Sequence, residues 1–109
     1  MGDIEKGARA LGKMLKKSTE YKEFKKTSDS LEKDEELMSL INSVTEKEKA
    51  MNEKMDKGIP VEVEEKRELK ELKGKVRAHP VYSEFLKAEK AYFILMKRVN
   101  DAMNEALKD

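Results

Sequence analysis

The chain is organised around residues 79–107, which read HPVYSEFLKAEKAYFILMKRVNDAMNEAL. Apolar residues recur there with alternating gaps of three and four positions, at Phe85, Ala88, Tyr92, Leu95, Val99, Ala102 and Ala106. This spacing predicts one long helix with a heptad-like seam. Neighbouring apolar residues widen the seam into a face that one other helix cannot cover. We therefore expect several helices to pack against it.

The composition favours a helical protein. Charged residues make up 43% of the chain and hydrophobic residues 38%, with two prolines and five glycines among 109 residues. This balance is typical of amphipathic helices with charged outer faces, and the length is that of one domain, here residues 1–109. We predict an all-α bundle of about five helices with a long C-terminal helix, which associates with itself.

The first two helices are predicted to meet near Ser18 and Thr19. The first runs from about Asp3 to Lys17, and the second ends near Lys33. Gly12 is costly inside a helix, so we expect another backbone to approach closely at that point. Ser or Thr can cap a new helix, but the sequence leaves open whether the two helices are separate or form one kinked helix.

The later helix boundaries carry stronger signals. Asp34 is a predicted N-cap for the third helix. Gly58-Ile59-Pro60 joins a helix-ending glycine to a helix-breaking proline and predicts a tight reversal. A fourth helix is expected over residues 62–78, and His79-Pro80 separates it from the long fifth helix, because a residue before proline avoids helical angles.

Two helix openings resemble each other, with Tyr21 and Phe24 in one and Tyr82 and Phe85 in the other. Aromatic residues three positions apart are ordinary core residues of a helix. The favoured interpretation is two similar openings, and the alternative is an internal duplication that places both pairs equivalently.

The charges give little support for nucleic-acid binding. The 24 basic and 23 acidic residues leave a net charge of +1, with an acidic middle segment between basic ends that could favour antiparallel association. The alternative function is RNA binding through a basic patch, in which Tyr21 and Phe24 would stack on bases. Glu20 and Glu23 dilute that patch, so nucleic acid is not the expected partner. The patch consists of Lys13, Lys16, Lys17, Lys22, Lys25 and Lys26.

No residue pattern predicts catalysis, a metal site or a bound cofactor. The chain has no cysteine and one histidine, His79, which is interpreted as a helix-boundary residue. The glutamates of residues 62–71 alternate with lysine and arginine, as on a solvated helix face. No apolar run is long enough to span a membrane, and the N-terminal residues lack a signal-peptide core. We expect a cytoplasmic protein that is not an enzyme.

Self-association is the function class that the apolar residues favour. The width of the apolar face on the last helix predicts a homo-oligomer, with a dimer preferred, and an unidentified protein partner. The predicted oligomer interface consists of Phe85, Ala88, Tyr92, Leu95, Met96, Val99 and Met103.

Several short stretches, taken in order, resemble the YlbF/YmcA family of small helical bacterial proteins, the control of competence regulator group. They begin with residues 10–15 (ALGKML) and 18–24 (STEYKEF) and continue with residues 31–37 (LEKDEEL) and Gly58. The last runs from His79-Pro80-Val81 through Phe85, Ala88 and Glu89. The resemblance covers nearly the whole chain, although each motif alone is a common helix-boundary signal.

This resemblance implies an all-helical protein that forms homodimers or larger assemblies through its long helices. Some members act, without enzymatic activity of their own, as adaptors in competence, sporulation and biofilm formation, in a complex that influences RNA processing through an endoribonuclease. Certain members hold an iron-sulfur cluster through cysteines. Because this chain has no cysteine, that cofactor is not expected here.

Overall fold

Five α-helices and no strand make up residues 2–108, the part of the chain that the structure, a computed structural model, describes. The predicted all-α fold with a long C-terminal helix is thus confirmed. The helices are α1 (Asp3–Lys16), α2 (Thr19–Lys33), α3 (Glu35–Asp56), α4 (Val63–Ala78) and α5 (Pro80–Ala106).

Ser18 separates the first two helices, which settles the question that the sequence left open. Its Oγ donates a hydrogen bond of 2.6 Å to the Leu15 carbonyl at the end of α1. The same oxygen accepts a bond of 3.1 Å from the Tyr21 N–H in the first turn of α2. One side chain therefore closes α1 and caps α2, so the two are distinct helices.

The predicted caps and the predicted reversal are confirmed. Asp34 is the N-cap of α3, and its Oδ1 accepts a bond of 2.9 Å from the Leu37 N–H. Gly58 follows α3 with a φ of 70°, which a residue with a side chain rarely adopts. His79 is the C-cap of α4, as expected for a residue before proline.

The chain divides into two compact units. In the first, residues 2–29 and 85–108, the rings of α2 pack on those of α5. Phe24 stacks on Tyr92, with 5.1 Å between ring centroids, and also contacts Phe85 at 5.7 Å. Tyr21 meets Tyr92 edge-on at 5.9 Å. Because aromatic pairs of this geometry add to apolar burial, they hold α2 and α5 together.

The second unit, residues 30–84, contains the helical hairpin of α3 and α4. Leu37 is fully buried and Val76 nearly so, and these two form its core. Ion pairs join the helices along the hairpin. Lys47 meets Glu68 at 2.8 Å, and Glu48 meets Lys73 at 3.5 Å.

Two further expectations from the sequence concern Gly12 and the two aromatic pairs. The expectation of another backbone close to Gly12 is wrong for the single chain, because a Cβ built there meets no atom beyond its own stretch of helix within 4 Å. Whether the two aromatic pairs are equivalent stays open, although Tyr21 packs on Tyr92 and Tyr82 lines a groove of the second unit. The prediction that residues 1–109 form one domain stays a prediction.

Candidate interaction surfaces

The residues predicted for the oligomer interface lie at different depths on α5. Ala88 is buried, Met103 is exposed, and the other five are half-buried: Phe85, Tyr92, Leu95, Met96 and Val99. The rings of Phe85 and Tyr92 already contact α2. Part of the predicted interface is therefore used within the chain, and its role between chains stays a prediction.

A second apolar seam runs along α5 beside the first. Residues 86, 93 and 100 of α5 and residue 107, which directly follows α5, are spaced by seven, and residues 89, 96 and 103 lie three positions after the first three of them, which is the a and d pattern of a coiled coil. We call these seven residues the outer seam. Four of them are large, exposed hydrophobic residues: Leu86, Phe93, Met103 and Leu107. The outer seam therefore leaves apolar surface open to a partner.

Sequence reasoning placed Met96 and Met103 of this seam in the interface but left out Phe93. The side chain of Phe93 is 59% exposed, which is unusual for an aromatic residue in the middle of a helix. The heptad spacing of Leu86, Phe93 and Leu107 was the signal that could have found it.

Helix α1 also leaves its apolar side uncovered. Ile4 and Met14 are exposed, Leu11 and Leu15 are half-buried, and no residue of α1 is buried. A helix of this kind gains little stability from the packing it makes within the chain, because helices in water depend on burying an apolar face.

The predicted basic patch lies on the surface of α1, α2 and the residues between them. All six lysines of the patch are exposed, and Lys25 pairs with Asp29 at 3.4 Å. The two aromatic residues that would stack on bases are engaged elsewhere, since Tyr21 and Phe24 both contact Tyr92. The lysines of the patch can supply positive charge, but the rings of Tyr21 and Phe24 are not free to stack on bases.

Three of the four carboxylates of α4 form ion pairs with lysine or arginine. The hydrogen bond and the positive charge of Lys47 lower the pKa of the Glu68 carboxyl below its ordinary value of 4.5, and Glu68 in turn raises the pKa of Lys47. Glu65 pairs with Lys54, and Glu64 with Arg67. Among the described residues, no group of His, Asp and Glu is arranged to hold a metal ion.

His79 links two helix ends. Its Nε2 lies 3.7 Å from Oδ1 of Asp34, the cap of α3, while its Nδ1 accepts a bond of 3.3 Å from the Val81 N–H. The arrangement is that of a cap that joins the start of α3 to the end of α4.

Comparisons with known proteins identify similar chains. The family model described as "Control of competence regulator ComK, YlbF/YmcA" matches residues 4–108. A UPF0342 protein of Caldicellulosiruptor bescii is 33% identical over 79 residues, which cover 72% of this chain and 66% of that relative. Within residues 2–108, no helix has the length and apolar character needed to cross a membrane.

Proposed function

Since the chain belongs to the YlbF/YmcA family, the control of competence regulators, we propose that it is a cytoplasmic adaptor that regulates other proteins by binding them. It acts as a homodimer and catalyses no reaction of its own. The observation that carries this proposal is the exposed outer seam of α5, because an apolar stripe of this length is stable in water only when another helix covers it.

The second copy of α5 is the occupant proposed for the outer seam. Helix α5 has 27 residues, and the outer seam repeats along it with the seven-residue period that pairs two like helices. Phe93 and Leu107 contribute the most exposed of the large apolar side chains of the seam. A symmetric contact uses each of these side chains twice.

The polar members of the outer seam fix the direction of the pair. Glu89 occupies a d position and Asn100 an a position. In a parallel pair Glu89 would face its own copy, and like charges in contact are unfavourable. In an antiparallel pair, Glu89 can instead accept a hydrogen bond from Asn100 of the second copy. The same register places Phe93 opposite Met96 and Leu86 opposite Met103.

Static light scattering after size-exclusion chromatography tests the assembly. We expect a dimer at micromolar concentration, and a monomer would contradict the proposal.

Engineered cysteines test the antiparallel register, because the natural chain has none to interfere. Leu86→Cys and Met103→Cys chains should form a disulfide when mixed, since the two positions face each other between copies. Neither variant should cross-link with itself. Efficient self-linking of Leu86→Cys, with none in the mixture, would instead indicate a parallel pair.

A further inference from the structure

A groove runs along one side of the α3–α4 hairpin of the second unit. It consists of two adjoining hollows of about 330 and 420 Å³, which share Lys73 and Arg77 in their walls. Its floor is apolar and is formed by Ile41, Val44, Met51, Leu69 and Val76. We call this feature the hairpin groove.

One wall of the hairpin groove is a stripe of cations on α4. Lys66, Lys70, Lys73 and Arg77 follow one another at helical spacing and all line the groove. Eleven positions separate the first from the last, so the stripe is about 16 Å long, or three helical turns. Such a stripe is notable because the surrounding segment of the chain is rich in acidic residues.

The cations of the hairpin groove are largely uncompensated. On the other flank of the hairpin, Lys47 and Lys54 of α3 meet Glu68 and Glu65 of α4, so charges there are matched. Among the residues that line the groove, Glu48 is the only carboxylate that α3 supplies, and it pairs with Lys73 at 3.5 Å. Within residues 2–108, the structure gives Lys66, Lys70 and Arg77 no ion-pair partner.

We propose that the hairpin groove binds an acidic amphipathic helix of a partner protein. About three turns of that helix lie along the stripe, with apolar side chains on the floor and Asp or Glu side chains against Lys66, Lys70 and Arg77. This inference rests on the proposed adaptor function and assigns the chemistry of the partner that the adaptor binds.

The apolar floor distinguishes a protein helix from RNA as the occupant. Phosphates would meet the cations but leave the apolar side chains of Met51 and Leu69 uncovered. A second copy of the chain fits less well. Its exposed outer seam is flanked by Lys90 and Lys97, which would bring like charges to the stripe.

Fluorescence anisotropy with designed peptides tests the proposal on the chain of residues 1–109. The probe is a labelled helical peptide with leucines on one face and glutamates beside them, together with otherwise identical glutamine and lysine versions. The test variant is Lys70→Glu/Arg77→Glu. The matched control, Lys57→Glu/Lys75→Glu, makes the same charge change at exposed lysines outside the groove.

The glutamate peptide should bind the natural chain more tightly than the other two, and more weakly as salt is raised. Lys70→Glu/Arg77→Glu should lose roughly tenfold or more in affinity for it, since two rim contacts become repulsive. The same variant should gain affinity for the lysine peptide, which shows that it is folded. The control variant should bind as the natural chain does.

Equal binding of all three peptides, or no binding of the glutamate peptide, would overturn the inference. The inference would also be overturned if labelled single-stranded RNA bound more tightly than the glutamate peptide and if that RNA binding were lost in Lys70→Glu/Arg77→Glu. Light scattering separates this failure from that of the adaptor dimer. If the chain is a dimer that binds none of the peptides, only the proposal for the hairpin groove is refuted. If it is a monomer that binds the glutamate peptide, only the proposal of a dimer is refuted.

Discussion

Truncation of Phe93 to alanine should separate the proposed dimer into monomers. The side chain is 59% exposed in the single chain. A fully buried phenylalanine covers about 200 Å², so roughly 120 Å² is open to a partner, worth about 3 kcal/mol at 25 cal/mol per Å². Alanine keeps the Cβ, which leaves a loss of about 2 kcal/mol per copy. A symmetric pair loses this twice, or about 4 kcal/mol, and its dissociation constant rises roughly a thousand-fold.

Sedimentation equilibrium from nanomolar to high micromolar concentration measures this change in the dissociation constant. Ile94→Ala is the matched control, because Ile94 is 52% exposed yet points about 100° further round the helix, away from the outer seam. We expect Ile94→Ala to leave association unchanged. The reasoning fails if Phe93→Ala dissociates no more readily than Ile94→Ala, or if both remain dimers as tight as the natural chain.

Four further variants test the second unit by equilibrium unfolding in urea. Leu37→Ala should cost about 2 to 5 kcal/mol, because Leu37 is fully buried, and a cost below 1 kcal/mol would contradict that burial. Asp34→Ala should cost about 1 kcal/mol, and Asp34→Asn should recover most of it because its amide oxygen still caps α3, even though the charge beside His79 is gone. Since Lys47 holds the pKa of Glu68 below 4.5, the carboxylate stabilises the fold above that pH, and this contribution is lost as the pH falls through the lower folded-state pKa. The stability difference between the natural chain and Glu68→Gln should therefore shrink on acidification, and a constant difference would contradict the pair.

The helix boundaries could be predicted from the sequence because each depends on a few adjacent residues. Asp34 caps α3 through a bond to the N–H three positions later, and such bonds follow from residue type and spacing alone. Gly58 takes its positive φ for an equally local reason. Ser18 separates α1 from α2 by the same means, yet the sequence could not show it, since its hydroxyl can bond to several backbone groups.

Contacts between helices could not be predicted in the same way. Gly12 suggested a close neighbour by its residue type, but the space around it is open, because a glycine inside a helix does not specify what lies beside it. The hairpin groove was likewise hidden. The cations of α4 read as one face of a charged helix, and only the position of Glu48 on α3 shows that they are not matched across the groove.

Helix α5 shows why helix boundaries can be predicted from the sequence while contacts between helices cannot. Its apolar residues are numerous enough to form two seams, and both have nearly the same period, so periodicity alone cannot assign them to different neighbours. The rings of Tyr21 and Phe24 determine which seam is covered within the chain, because they pack on Phe85 and Tyr92 and leave Phe93 exposed. Among the described residues of the first unit, only Ala88 is buried. A second copy on the outer seam, as proposed above, would complete the core of this unit and would couple its folding to assembly.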